Sequence, residues 1–218
     1  MKEMKKVRKA GTVFVIAAVV VLVGITMIAG RTDEAVFSRD NTASAMGKGM
    51  KDAVNRLVEN SSVKDGQGSM GIVLGETVSK NYFYWEYSLC KATGSENPAQ
   101  RAWELIRQEV YERQLAEREG LLPTEKEILE YTKEMRRITE SAEESRTVLK
   151  TIIAQMGMTE DEYWNNYQAK YEAPLQLIRG RVEAYLTENN LPPIDTSKIE
   201  AEITDIEFYQ SFVDGGYS

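Results

Sequence analysis

Two acidic runs are the residues of this sequence that most resemble a metal or acid–base site. They span residues 140–144 (ESAEE) and 160–162 (EDE). Clustered carboxylates can bind divalent cations or exchange protons. Both runs nevertheless stand where sequence signals predict helix N-termini, and a carboxylate there is stabilised by the positive end of the helix dipole. We therefore interpret both runs as structural, and we predict no metal site and no cofactor.

Nucleophilic chemistry has little support in this sequence. Histidine is absent, which excludes Ser-His-Asp and Cys-His catalysis and histidine-ligated metals. Cys90 is the only cysteine, so neither an intramolecular disulfide nor a cysteine-only zinc site is possible. Because Cys90 lies among apolar and aromatic residues, we predict a small buried hydrophobic side chain rather than a reactive thiol. With no catalytic constellation present, we predict that the protein is not an enzyme.

Aromatic side chains are the strongest candidates for binding. The chain has eleven tyrosines and three tryptophans, and Tyr82, Tyr84, Trp85 and Tyr87 fall within six residues, too close together to share one helix face. An exposed aromatic and methionine surface would bind extended polypeptides by burying apolar area. Apolar stripes at helical spacing can equally form the core of the domain. The candidate polypeptide-binding residues are Tyr82, Tyr84, Trp85, Tyr87, Trp103, Met135, Tyr163, Trp164 and Tyr167.

Helical periodicity and capping signals predict the elements that position these side chains. Ser79 can cap the helix that carries the aromatic run, and Asn97-Pro98 predicts a second helix that ends at Gly120. Pro174 is expected to bend or interrupt the last and longest helix near Lys170. Three capping boxes, each a Ser or Thr followed three residues later by Glu, predict helix starts at Thr124, Ser141 and Thr159.

A small sheet is predicted to join the two ends of the domain. Residues 71–74 are strand-like and are followed by a turn at 75–76. The tail alternates apolar and polar residues over 199–203, and again at Ile206 and Phe208. An isolated strand is unstable in water, so we expect the tail to pair with residues 71–74. The predicted fold class is mainly α, with one small two-stranded sheet.

The N-terminus predicts a membrane anchor. A basic stub, residues 1–10, precedes residues 11–30, which contain no charged side chain. A helix of this length spans the roughly 30 Å hydrocarbon core of a bilayer, and the basic stub places the N-terminus in the cytoplasm and the rest outside. A cleaved secretory signal is the alternative, and the body is then secreted. We interpret residues 31–70 as a juxtamembrane stalk with a short amphipathic helix, and 71–218 as the folded domain.

The charge of the exported part limits its partners. Without the stub, 22 Lys and Arg stand against 33 Asp and Glu, a net charge of about −11. Nucleic-acid binding is not expected, because it requires the opposite sign. A negative body is typical of a soluble domain, and it also favours basic clients.

Three segments resemble the SurA- and PrsA-type extracytoplasmic chaperones. Residues 72–79 (IVLGETVS) are similar to the opening strand, Gly-Glu turn and capped helix of that family. Residues 102–135 resemble its second helix, glycine stop and third helix, and residues 156–167 resemble the entry into its long last helix. The resemblance implies a helical domain of the SurA N-terminal or trigger-factor type that holds unfolded or newly exported polypeptides.

Two departures from that family narrow the expected function. Many members carry a parvulin-type prolyl isomerase module with characteristic histidines, but only 25 residues follow Pro193 and no histidine is present. The lipobox cysteine of the PrsA-type lipoproteins is also missing. The sequence therefore predicts a non-catalytic, membrane-anchored chaperone. The alternatives are a scaffold or regulatory subunit with one folded partner and, least favoured, a prolyl isomerase. Neither client nor oligomeric state is indicated.

Overall fold

The computed structural model describes residues 41, 43–51 and 68–214, which are mainly helical with a small antiparallel sheet. The predicted anchor, residues 11–30, lies outside this part of the chain. Across the described residues, none of the helices combines the length and apolarity needed to cross a bilayer.

In chain order, the elements are α1 (43–51), β1 (Ser69–Val73), β2 (Glu76–Ser79), α2 (Lys80–Ala92), α3 (Pro98–Arg118), α4 (Glu125–Ser141), α5 (Glu143–Met156), the single turn α6 (Glu160–Glu162), the π-helix π1 (Tyr163–Glu172), α7 (Ala173–Glu188), a 3₁₀ turn (Thr196–Lys198), β3 (Ala201–Ile203) and α8 (Ile206–Val213).

The sheet has strand order β2-β1-β3 and is antiparallel throughout. Pairing of β1 with the tail strand is confirmed, with Gly71 opposite Ile203 and Val73 opposite Ala201. The prediction of two strands is wrong, because β2 folds back on β1 as a hairpin. Leu74 and Gly75 both have positive φ, the backbone that a tight two-residue hairpin requires.

The end of the tail is a helix, and the predicted strand at Ile206 and Phe208 is wrong. The Asp205 carboxylate accepts a hydrogen bond from the Phe208 backbone N–H at 2.9 Å and so caps α8. The helical spacing directs Phe208 and Phe212 to the same side, and both rings contact Phe83. The apolar and polar alternation that suggested a strand was too short to distinguish the strand period of two residues from the helical period of about 3.6.

Two of the three predicted capping boxes are confirmed. In both α4 and α6, the Thr hydroxyl accepts from the backbone N–H of the Glu three residues later, and that Glu carboxylate accepts from the Thr backbone N–H. The third box is wrong, because α4 extends through Ser141 and its hydroxyl donates to the Ile138 carbonyl at 2.7 Å. Helix α5 therefore starts after Ala142, which has no capping side chain.

The predicted interruption of the last helix is confirmed and takes the form of the π-helix π1. Pro174 has no N–H to donate within the helix, and the turn before it widens to i→i+5 bonding, with the Ala173 N–H reaching the Gln168 carbonyl. Side-chain bonds follow the same spacing. The Tyr163 hydroxyl donates to Gln168 at 3.2 Å, and the Tyr167 hydroxyl donates to Glu172 at 3.0 Å.

Three apolar clusters hold the described residues together. The first joins the sheet to α2, α3 and α8 around Phe83 and Ile106. The second joins α1, α5 and π1 around Trp85. The third packs the end of α3 against α7 through Leu115 and Val182. The apolar stripe that defines the core face of α3 is buried, with Ala99, Ala102, Trp103, Ile106 and Val110 all 8% exposed or less.

Helix α1 packs closely against α2 and α5 through two glycines. A Cβ atom at Gly47 would lie 2.6 Å from the Ile152 carbonyl oxygen, and one at Gly49 would lie 3.1 Å from the Ser88 carbonyl oxygen. Both neighbours are backbone atoms of regular helices, which cannot move aside cheaply. Met50 is buried in the same contact.

Replacing Gly47 with alanine is expected to reduce the free energy of unfolding by about 1–3 kcal/mol, because the added methyl group overpacks this contact. Gly180 of α7 is the matched control, since a Cβ there meets nothing within 4 Å. Gly180→Ala should stabilise the protein by about 0.5–1 kcal/mol. Urea unfolding of both variants measures the difference, and equal effects at the two glycines would contradict the close packing of α1.

Candidate functional site

A cavity of about 420 Å³ lies between α2, α3, π1 and α7. Its volume is within the range of sites that bind small molecules or single side chains. The wall is mostly apolar and includes Trp85, Leu89, Leu105, Tyr171 and Leu175, whereas one side carries a group of carboxyls. We call this space the acidic cavity.

Helix α2 supplies one wall through a single helical face. Tyr82, Trp85, Glu86, Leu89 and the C-cap residue Thr93 all line the cavity, and steps of three or four residues along the helix place them on the same side. Ser79 starts this helix as predicted, its hydroxyl accepting from the Tyr82 N–H. The opposite face of α2 enters the core through Phe83, Tyr87 and Cys90. Cys90 lies at the edge of both surfaces, since it also lines the cavity.

The opposite wall depends on the change from π- to α-helix. Tyr171 and Glu172 are the last residues of π1, and Leu175 and Arg179 follow in the first turns of α7. All four line the cavity. A wider π turn changes which side chains share a face, and such turns are frequent at functional sites. The sequence feature that starts this arrangement is Pro174.

Helix α3 contributes two buried carboxyls that have partners. The Tyr82 hydroxyl donates a hydrogen bond to Glu109, and Arg179 lies 3.6 Å from the Glu109 carboxylate. Arg179 also donates to Glu112 at 3.3 Å, and Gln108 donates to Glu112 at 2.7 Å. Both glutamate side chains are at most 9% exposed. Each charge therefore has at least one neutralising contact.

Glu86 differs from these two carboxyls. It is 4% exposed and lines the acidic cavity. Among the described residues, Arg179 pairs with Glu109 and Glu112, Tyr82 with Glu109, and no hydrogen bond or ion pair reaches the Glu86 carboxyl. A buried carboxyl without a partner is costly in its charged form. Glu86 is therefore the group in this cavity that most needs a donor or a cation.

The pKa values of the carboxyls that line the cavity, and of Glu112 beside it, are all raised. Burial raises the pKa of Glu86 well above its usual range, and the charges of Glu109 and Glu172 raise it further, whereas Arg179 lowers it. Burial is also the largest cause of the raised pKa of Glu109, Glu112 and Glu172. Within this group, Arg179 is the cation that opposes all three of those shifts. The arrangement favours proton retention or the uptake of a positive charge.

Carboxyls with raised pKa in a cleft are what a general acid requires, whereas the neighbouring thiol is not activated. Burial raises the pKa of Cys90 to about 12, so its thiol is protonated at neutral pH and is a poor nucleophile. Its predicted burial is confirmed. Within the described ranges, no group of three or more His, Cys, Asp or Glu side chains is placed to hold a metal ion. Carboxyls beside a mostly apolar wall are complementary to a cation with an apolar stem.

Of the nine side chains predicted to contact polypeptides, Tyr82 and Trp85 line the cavity. Behind them, Trp85 stacks on Tyr167 with ring centroids 5.6 Å apart. The remaining residues pack elsewhere: Tyr87 and Trp103 are buried in the cluster around Phe83, with Tyr84 at its edge, and Tyr163, Trp164 and Tyr167 are buried in the cluster around Trp85, with Met135 at its edge. Tyr82 and Trp85 are therefore the predicted residues positioned for direct contact.

The buried carboxyls and Arg179 are functional candidates that the sequence pattern did not predict. One signal was present, because Glu86 is the only charged residue between Lys80 and Lys91, in the middle of an aromatic run. A lone carboxylate on an otherwise apolar helix face is unusual and indicates a partner or a ligand. Nothing comparable distinguishes Glu109 from the exposed Glu117 of the same helix.

Comparison of the chain with protein-family models, with curated proteins and with solved structures finds no match.

Proposed function

We propose that this protein is a non-catalytic, chaperone-like binder of unfolded or newly exported polypeptides, held at the outer surface of the membrane by residues 11–30. The observation that carries the proposal is the acidic cavity, whose mostly apolar wall includes Trp85, Leu105 and Leu175. Burial of client side chains against such a wall supplies affinity without demanding one sequence. The resemblance of three sequence segments to SurA-type peptide-binding domains supports the same function.

The proposed anchor would contribute to function through concentration. A tether restricts the binding domain to the surface where exported chains emerge, and this raises its effective concentration there. Weak binding by a single cavity is then sufficient for useful occupancy. The absence of histidine from the sequence supports a role in holding rather than in isomerising the client.

The test uses the full chain in lipid nanodiscs and a chemically unfolded client that aggregates on dilution. We expect the protein to suppress aggregation at micromolar concentration and to bind unstructured peptides. Absence of both would contradict the proposal. If the protein instead captures one folded partner at fixed stoichiometry and leaves unfolded clients to aggregate, the scaffold function replaces it.

Replacing Leu175 with tryptophan is expected to weaken peptide binding about tenfold or more, since the larger side chain fills the cavity and removes apolar contact. Leu175 lines the cavity and belongs to none of the three apolar clusters. Leu129→Trp is the matched control, because Leu129 is 51% exposed on α4 and away from the cavity. Peptide affinity measured by fluorescence anisotropy distinguishes them, and equal affinities in both variants would place binding elsewhere.

A further inference from the structure

We propose that the acidic cavity selects polypeptide segments that carry lysine or arginine, with the side-chain cation bound at Glu86. This inference rests on the proposed function and specifies its substrate class. Lysine and arginine side chains share an apolar stem that ends in a cationic group, an ammonium in lysine and a guanidinium in arginine. Such a group also occurs in free diamines, which the experiment below separates from a polypeptide side chain.

The charge balance of the cavity is the first support. Glu86 and Glu109 are buried and Glu172 lies beside them, whereas Arg179 is the one cationic side chain among the described residues that line the cavity. Arg179 is already shared between Glu109 and Glu112. A second cation would therefore bind a carboxyl that has no partner, and it would not need to displace Arg179 from Glu109 or Glu112.

The unpaired state of Glu86 gives the site its specificity. Glu109 already accepts from Tyr82, and Glu172 already accepts from Tyr167. Glu86 alone among these cavity carboxyls has no such donor within the described part of the chain. A lysine ammonium carries three donors and an arginine guanidinium carries five, so either would supply what the protein itself does not.

The apolar wall fits the rest of such a side chain. Lysine and arginine bury their methylene stems along apolar surface while the charged head reaches a polar partner. Trp85, Leu89 and Leu175 provide that surface. Trp85 and Tyr171 add aromatic area to the same wall. A purely anionic or purely apolar ligand would use only part of this surface.

The experiment compares two unstructured peptides that differ at one position, lysine in the first and norleucine in the second, with no other charge. Norleucine keeps the apolar stem and removes the cation. With the full chain in nanodiscs, we expect the lysine peptide to bind about tenfold more tightly. In Glu86→Gln the two affinities should differ by less than about threefold, whereas Glu117→Gln, an exposed control on α3, should keep the wild-type preference. Thermal melts establish that each variant is folded.

The results distinguish failure of the cationic preference from failure of polypeptide binding itself. Equal affinities for both peptides in the wild-type protein would overturn the cationic preference and leave polypeptide binding intact. A full preference that persists in Glu86→Gln would overturn the assignment to Glu86. A third measurement uses 1,5-diaminopentane alone. Binding of this diamine without binding of either peptide would overturn both the polypeptide source and the proposed function.

Discussion

Arg179→Met is expected to lower the free energy of unfolding by about 3 kcal/mol at pH 7, because removing one partner of a buried ion pair leaves the other charge uncompensated. Arg179 contacts Glu109 and Glu112, whose side chains are 9% and 3% exposed. Methionine retains much of the apolar stem, so the loss reports mainly the missing charge. Measurement is by urea unfolding.

The difference in the free energy of unfolding between the wild-type protein and Arg179→Met should decrease as the pH falls. Burial already raises the pKa of Glu109 and Glu112, and removal of the cation raises both further. A carboxyl whose pKa is higher in the folded state binds more protons there than in the unfolded state. Its contribution to stability is present below the unfolded pKa and is lost as the pH rises through the folded pKa. The variant should therefore approach the wild-type stability as the pH falls below 7.

An exposed ion pair provides the control. Arg137 and Glu134 pair on the surface of α4, with side chains 69% and 53% exposed. Arg137→Met should leave the free energy of unfolding nearly unchanged, because solvent screens an exposed ion pair. Equal losses at Arg179 and Arg137, or a loss at Arg179 that does not vary with pH, would contradict the electrostatic account of the cavity.

Glu86→Gln is expected to act in the opposite direction and stabilise the protein by about 1–3 kcal/mol at pH 7, because the folded state disfavours ionisation of this carboxyl whereas the unfolded state does not. Glutamine has nearly the same shape and no charge, so it removes the desolvation of a carboxylate that lacks a partner. The pKa of Glu86 is raised in the folded state, chiefly by burial. The wild-type protein should therefore lose stability as the pH rises through that pKa, and the variant should not.

The stabilisation by Glu86→Gln should vanish near pH 4, where the wild-type carboxyl is protonated in both states. Unfolding curves of both proteins between pH 4 and pH 8 measure this, with Glu117→Gln as an exposed control from which no change is expected. A destabilised Glu86→Gln at pH 7 would show that the carboxylate has a favourable partner. A more stable protein with less preference for cations would match the trade-off seen when a binding site is relieved of strain.

Local signals explain why much of the fold follows from the sequence. Thr124 and Thr159 cap helices through reciprocal bonds within four residues, and Pro174 interrupts a helix by its own covalent structure. Ser141 fails as a cap because α4 continues through it, which its own neighbours do not reveal. Pairing of β1 with the tail was predictable only because an isolated strand needs a partner.

The site is less predictable, because it depends on burial. Tyr82 and Trp85 stood out as aromatics, but their spacing does not say which of them face a cavity and which, like Tyr87, face the core. Glu109 and Glu112 have the same local sequence character as exposed glutamates of α3. Their burial arises only when α7 packs across α3 and brings Arg179 beside them. Glu86 was the exception, since it stands alone in an aromatic run.

The titratable and charged groups around the cavity determine how binding should vary with pH. Tyr82 and Cys90 have raised pKa values and stay protonated at neutral pH, and Arg179 stays charged. The carboxyls on three elements are the groups that ionise as the pH rises: Glu86 of α2, Glu109 and Glu112 of α3, and Glu172 of π1. A lysine ligand keeps its charge throughout this range.

The most direct test of a cation-selective cavity is the ratio of the Kd values of the norleucine and lysine peptides, measured from pH 5 to pH 8. The account predicts that this ratio increases with pH, because ionised carboxyls bind the ammonium while the apolar contacts stay the same. A ratio that remains near one, or that falls as the pH rises, would contradict it.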